Sequence, residues 1–381
     1  MNHDSQVRTL PLVVLALAGA MVGGCRGPHM QTDATKACID ARATLLQAVD
    51  SKDATTRANA LEAMAQVFGQ RGGQVFMQAL GDPSPIVRFA SAMAIGDVRY
   101  RPAQAQLVKM VEDKQVEPDK RVLVAAIYAL YMLGEAQHVS ALGELLFDRE
   151  GEVRADVAMV MGKMGERSAI DPLKMLLPDE QDPAVQLQLV EALARLGDER
   201  SMTLLEAYTK TQFVDEQLVA IPAMVNTNSP RAGKVLRTLM RNKRQPPRVR
   251  VAAAGGLAKL GQVTSDGYEM CMAAAEEPRD VLRTAFGAGR EITPVEAFSL
   301  QRLAALSLGS MEEPLAVDVL HPLLGSTDGG VRIASAMGIM RILSMYCSPN
   351  DELVSTGPSE LPAQPAGDSR QPRLHTVGGK D

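Results

Sequence analysis

An internal period of about 32 residues constrains this chain more than any other feature. Arg57, Arg88, Arg121 and Arg154 follow one another at 31, 33 and 33 residues, and Arg250 lies 96 beyond Arg154, three periods of 32. A glycine recurs in step, at Gly134, Gly165, Gly197 and Gly261. Whole phrases return as well: Val87-Arg88-Phe89-Ala90-Ser91-Ala92-Met93 is echoed by Val331-Arg332-Ile333-Ala334-Ser335-Ala336-Met337. A unit this short cannot bury an apolar face by itself, so its copies must stack and cover one another.

Each unit reads as two helices. A turn carrying Asp, often with Pro, comes first, as in Asp82-Pro83-Ser84-Pro85 or Asp182-Pro183, where Ser84 is placed to cap free amides and Pro85 to occupy the first helical position. A helix follows with apolar residues at three- and four-residue spacing, such as Val122, Ala125, Ala129 and Met132, until Gly134 permits a left-handed stop. Val139, Leu142, Leu145 and Leu146 begin the second helix. Composition agrees: 46% of residues are hydrophobic but only 3% aromatic, with no Trp, and short aliphatic side chains suit closely packed helices better than sheets.

Period, Asp-Pro turn and Val-Arg pair together resemble HEAT repeats, in the short variety first described in bilin lyases. The resemblance covers about residues 40 to 346 and implies an all-α fold, an α-solenoid of about nine stacked helix pairs. Four segments are expected around and within it: a cleaved leader over 1–24, a lipidated Cys with a short tether over 25–33, the solenoid over 34–346, and a disordered tail over 347–381. The tail contains Pro349, Pro358, Pro362, Pro365 and Pro372 and little apolar content. Arg250 to Arg332 spans 82 residues, two periods plus 18, which predicts an insertion near 276–292.

The first residues read as an address. Thr9 to Val22 is an apolar run too short to cross about 30 Å of hydrocarbon as a helix but suited to a signal peptide. It ends in Val22-Gly23-Gly24-Cys25, which resembles the lipobox of bacterial lipoproteins. The resemblance implies lipidation of Cys25 and a location in the cell envelope facing the periplasm. Arg26, in place of the Asp that retains lipoproteins at the inner membrane, implies the outer membrane. Cys38, Cys271 and Cys347 remain, with no CxxC spacing for zinc, a redox pair or haem. An open stack would hold Cys38 and Cys271, about seven units apart, on the order of 70 Å from each other at roughly 10 Å per layer, and would also separate Cys271 from Cys347, so no disulfide is expected.

Two sets of charged residues stand out. The repeated Arg88, Arg121, Arg154, Arg250 and Arg332, with Asp82 and Asp328 in the turns, are expected to form an inter-repeat ladder of structural ion pairs. Between Gln217 and Thr264 there is no Asp or Glu, while nine Lys and Arg residues give that stretch +9. The whole chain carries −5, so the remainder carries −14. Within the basic stretch, Lys234, Arg237, Arg241 and Arg244 recur at helical spacing, with Arg248 beyond, and are the candidate stripe for an anionic partner on a groove wall.

The net charge argues against nucleic acid as a partner. Met270-Cys271-Met272 reads as core, since residues two apart on a helix project in opposite directions, and the five His residues are scattered, so no metal or other cofactor is expected. Deoxyhypusine hydroxylases share this repeat but carry paired His-Glu dipeptides that bind two irons, and this chain has no His-Glu. Phosphate-loop, GxSxG and HExxH motifs are also missing. The sequence therefore suggests a membrane-anchored scaffold that catalyses nothing and presents a groove to a protein or an anionic envelope component. The alternatives are a purely structural subunit of an envelope assembly, or an enzyme whose site is assembled from distant helices.

Overall fold

The computed structural model describes residues 30–347 except positions 114, 228 and 288. The expected leader, Cys25 and the expected tail beyond Cys347 lie outside the described residues. Chain order is α1 (Ala34–Val49), α2 (Ala54–Phe68), α3 (Gly73–Ala79), α4 (Pro85–Val98), α5 (Gln104–Glu112), α6 (Lys120–Leu133), α7 (Ser140–Leu145), α8 (Gly151–Met164), α9 (Ile170–Leu176) and α10 (Pro183–Arg195). It continues with α11 (Glu199–Tyr208), α12 (Val214–Asn226), α13 (Pro230–Arg241), α14 (Pro247–Lys259), α15 (Ser265–Glu276), α16 (Pro278–Phe286), α17 (Pro294–Met311), α18 (Ala316–Leu320) and α19 (Gly329–Ile342). Among the described residues there is no strand.

Local signals set the helix ends. Side chains of Asp53, Asp119, Asp182 and Asp328 accept backbone N–H bonds at the starts of α2, α6, α10 and α19. Gly134, Gly165, Gly197 and Gly261 all have positive φ, the left-handed stop that a Cβ would strain. At Asp82-Pro83-Ser84-Pro85 the sequence reading was half right. Pro85 opens α4, but the side chain that folds back is that of Asp82, which accepts the Ser84 N–H, and Ser84 itself makes no side-chain cap.

Packing decides the rest. The first helices of successive units pack in the order α2, α4, α6, α8, α10, α12, α14, α17, α19, and α19 then packs against α2. The solenoid therefore closes into a ring of nine first helices. Neighbouring second helices touch one another far less and lie outside them. The inner helices approach closely because small residues face each other. A Cβ on Gly96 would come within 3.0 Å of the Ala129 Cα, one on Gly162 within 2.9 Å of the Ala192 Cα, and one on Gly309 within 2.5 Å of the Gly338 Cα. Tight contacts inside and looser ones outside give every unit the same sense of curvature.

The ninth unit is made from both ends of the chain. α19 is its first helix, and the second is α1, which buries Ala37, Cys38, Ala41, Leu45 and Ala48. Asp318 accepts the backbone N–H groups of Gln31 and Thr32, His321 Nε2 lies 2.8 Å from Asp40 Oδ2, and Cys38 is disulfide-bonded to Cys347 with Cα atoms 5.4 Å apart. This corrects the sequence reading twice. A disulfide does form, because closure brings together residues 309 apart in sequence that an open stack would hold at opposite ends. Cys347 also belongs to the folded ring rather than to the tail. Cys271 is free and fully buried, which pushes its thiol up to about 12.

Candidate functional site

The repeated arginines are structural. Arg57, Arg88 and Arg154 each point Nη1 back at the carbonyls five and six residues earlier, and their remaining nitrogens grip one carboxylate of the next unit: Asp82, Glu117 and Glu180 respectively. These pairs are largely shielded from water; the side chains of Arg88 and Glu117 are 14% and 1% exposed. The Arg154 guanidinium holds the Glu180 carboxyl below its ordinary range. Arg332 likewise caps the Ser326 carbonyl, while Asp328 caps its helix.

Three of the expected rungs differ. Arg332 has no ion pair among the described residues. Arg121, two residues out of register, pairs with Glu152 and Asp156 on α8 and lies over the Phe89 ring. Burial pushes Asp156 up despite that partner. Arg250 has no acidic partner among the described residues and donates to the Met240 carbonyl. Where arginine is replaced, Gln186 and Gln217 donate to the carbonyls of Glu180 and Thr209, so the local cap survives without the ionic rung.

The basic stripe lies in a different layer from the one the sequence suggested. α13 is a second helix, so Lys234, Arg237 and Arg241 sit on the outer layer and not on a groove wall. Lys234, Arg241, Lys243 and Arg244 are exposed. Arg237 donates to Gln262 Oε1 at 2.6 Å, and Arg241 is 3.5 Å from Asp266 with both side chains more than half exposed. Lys234, Lys243 and Arg244 have no ion pair among the described residues. Arg248, on α14, instead lies on the inner layer beside Asp215.

Closure creates a second basic region that sequence reasoning missed. A cavity of about 300 Å³ opens on the inner face, lined by Asn59, Glu62 and Gln66 of α2, Lys259 of α14, Arg302 and Leu306 of α17, and Met337 and Arg341 of α19, among others. Arg341 Nη2 donates to Gln66 Oε1 at 2.7 Å across the closure. Lys259 and Arg302 have no hydrogen bond or ion pair among the described residues. Lys259 reaches water yet stands amid enough protein, with Arg341 nearby, to depress its pKa; Glu62 opposes that shift. Desolvation lowers that of Arg341 too. A signal for this was present, since a basic residue falls two positions before the closing glycine in three units, as Lys163, Arg195 and Lys259.

A wider depression of about 850 Å³ beside Arg99, Arg101, Tyr131 and Lys163 is less available to an anion. Its Lys163 is already 2.7 Å from Asp97 and 5.0 Å from the centre of the Tyr128 ring. Among the described residues no group of three or more His, Cys, Asp and Glu could hold a metal ion, and no helix is long and apolar enough to cross a membrane.

Comparison with known proteins names the repeat. The family model for HEAT repeats matches in four overlapping stretches, 42–117, 73–155, 115–194 and 139–219. Together these stretches span residues 42–219, a little under half of the chain. Deoxyhypusine hydroxylase of Danio rerio is 30% identical over 91 residues, covering 24% of this chain, and the chain spans only 30% of that relative's length. Among solved structures, the complex of CpcE and CpcF of phycocyanin lyase from Nostoc sp. matches at 17% identity, covering 71% of this chain and all of that one, with a TM-score of 0.41. Human deoxyhypusine hydroxylase matches at 16% identity, covering 81% and 96%, with a TM-score of 0.34. The expectation that this chain catalyses nothing is corrected here, because the curated relative that it matches over 91 residues is named as an enzyme.

Proposed function

We propose that the chain is a partner-binding scaffold of the bacterial cell envelope, held at the outer membrane on its periplasmic side by a lipid on Cys25, and that it takes an acidic protein on the outer basic face around α13. The observation that carries this reading is the group of exposed cations Lys234, Arg241, Lys243 and Arg244, of which Arg241 alone has an acidic neighbour among the described residues, on a molecule whose remaining charge is strongly negative. Such a face attracts and orients an acidic partner. Two further observations support the address: the Val22-Gly23-Gly24-Cys25 sequence, and a disulfide of the kind that persists in oxidising compartments.

Crosslinking in intact cells followed by mass spectrometry tests the reading. Arg237→Glu with Arg241→Glu should abolish the crosslinked partner at unchanged helicity, and capture by the wild type should weaken as salt rises and the Debye length falls from about 10 Å at 0.1 M to about 3 Å at 1 M. Cys25→Ala should move the chain out of the membrane fraction. Partners retained by the reversed variant, or unchanged fractionation, would reject the corresponding half of the proposal.

A further inference from the structure

We infer that the inner-face cavity at the ring closure is a binding site for a small organic anion, a carboxylate or phosphate ester carrying an apolar body. Arg302 and Lys259, exposed residues of two helices, line one cavity with no ion pair among the described residues, and Arg341 adds a third cation that donates to Gln66 and Ser310. Glu62 is the single carboxylate in the lining, so the pocket keeps a net charge of +2 from three cations and one anion.

Arginine forks and a lysine converging from different helices match the oxygens of a carboxylate or phosphate. Their placement in a concave, protein-crowded recess strengthens each interaction relative to an open surface. Desolvation depresses the pKa of both Lys259 and Arg341, and at Lys259 the neighbouring Arg341 adds like charge that an arriving anion would offset. Size and polarity narrow the class further. A cavity of about 300 Å³ holds roughly ten water-sized groups at about 30 Å³ each. Leu306, Ile333, Ala334 and Met337 give it an apolar wall, while Asn59 and Gln66 offer amides at its rim. An inorganic ion would leave that wall uncovered, and a neutral apolar molecule would leave the cations unpaired.

The site is separate from the outer face around α13 and is absent unless the ring closes, because α2 and α19 contribute opposite ends of the chain. Titration calorimetry of the whole chain with phenyl phosphate and with benzoate tests it, the pair distinguishing phosphate from carboxylate. At least one should bind at one per chain, and inorganic phosphate and benzyl alcohol should each bind at least tenfold more weakly. Lys259→Gln with Arg302→Gln should weaken binding at least tenfold, whereas the charge-preserving Lys259→Arg with Arg302→Lys should retain most of it. Lys234→Glu with Arg241→Glu should leave it unchanged, so failure of the outer-face proposal would not be mistaken for failure here. The inference is overturned if neither anion binds, if neutral and anionic probes bind alike, or if the Gln variant binds as the wild type does.

Discussion

The two joints that matter most in this ring are built differently. Where α19 meets α1 and α2, the chain is discontinuous, yet the junction has a helix with one buried face, a disulfide, a histidine–aspartate contact and two backbone N–H groups held by Asp318. Where α10 meets α12 the chain is continuous, but the first helices touch less than at any other step of the ring. There Gln186 and Gln217 replace the ladder arginine, Pro222 interrupts the hydrogen bonding of α12, and a separate apolar cluster around Leu187, Met202 and Met224 replaces the shared core. Covalent continuity and mechanical strength thus fall in different places. The ends are clasped because nothing else would hold them, while the α10–α12 step depends on chain connection and small side chains.

The largest effect should come from the ladder side of the comparison. Arg88→Ala leaves Glu117 buried without its partner and should cost about 3 kcal/mol or more in denaturant unfolding. A loss below about 1 kcal/mol would mean the rung is ornamental. Next comes the clasp. Cys38→Ser with Cys347→Ser removes a cross-link between residues 309 apart and should cost about 2–4 kcal/mol, read as a lower melting temperature. Hydrogen exchange should then rise first in α1 and α19. If it rises first in α10 and α12 instead, the clasp is not what keeps the ends together.

A third effect depends on pH. Glu180 is held below its ordinary range by the Arg154 hydrogen bond, and Asp82, despite burial, by Arg57 and the Ser84 N–H. Their stabilisation is fully present above the ordinary carboxylate range of about 4 and is lost as pH falls through the depressed folded values. Melting curves should therefore drop below about pH 4, and Arg154→Gln should flatten that dependence. At the other joint, Gln186→Ala deletes one hydrogen bond to a carbonyl and should cost only about 1 kcal/mol. A cost near that of Arg88→Ala would erase the distinction between the two kinds of joint. Smallest of all, Arg237→Glu with Arg241→Glu on the outer face should shift stability by about 0.5 kcal/mol or less per site.

The sequence by itself determined the helices, their ends and the ladder at Arg57, Arg88 and Arg154. Each depends on residues within one unit or its neighbour: the Asp caps, the four closing glycines, the apolar stripes, and arginines one period apart. These are local interactions, so spacing along the chain is a faithful record of them. It did not reveal that Arg121 turns to α8 or that the α13 stripe faces outward, since both depend on which layer an element joins. Nor did it reveal the ring. Whether the ends of a stack meet is set by a small rotation per unit, fixed by contacts such as Gly309 on Gly338 and accumulated over nine units, and a slight change in each would leave the ends far apart. The Cys38–Cys347 bond and the convergence of Lys259, Arg302, Arg341 and Glu62 are products of that sum. Only the tertiary structure could decide them.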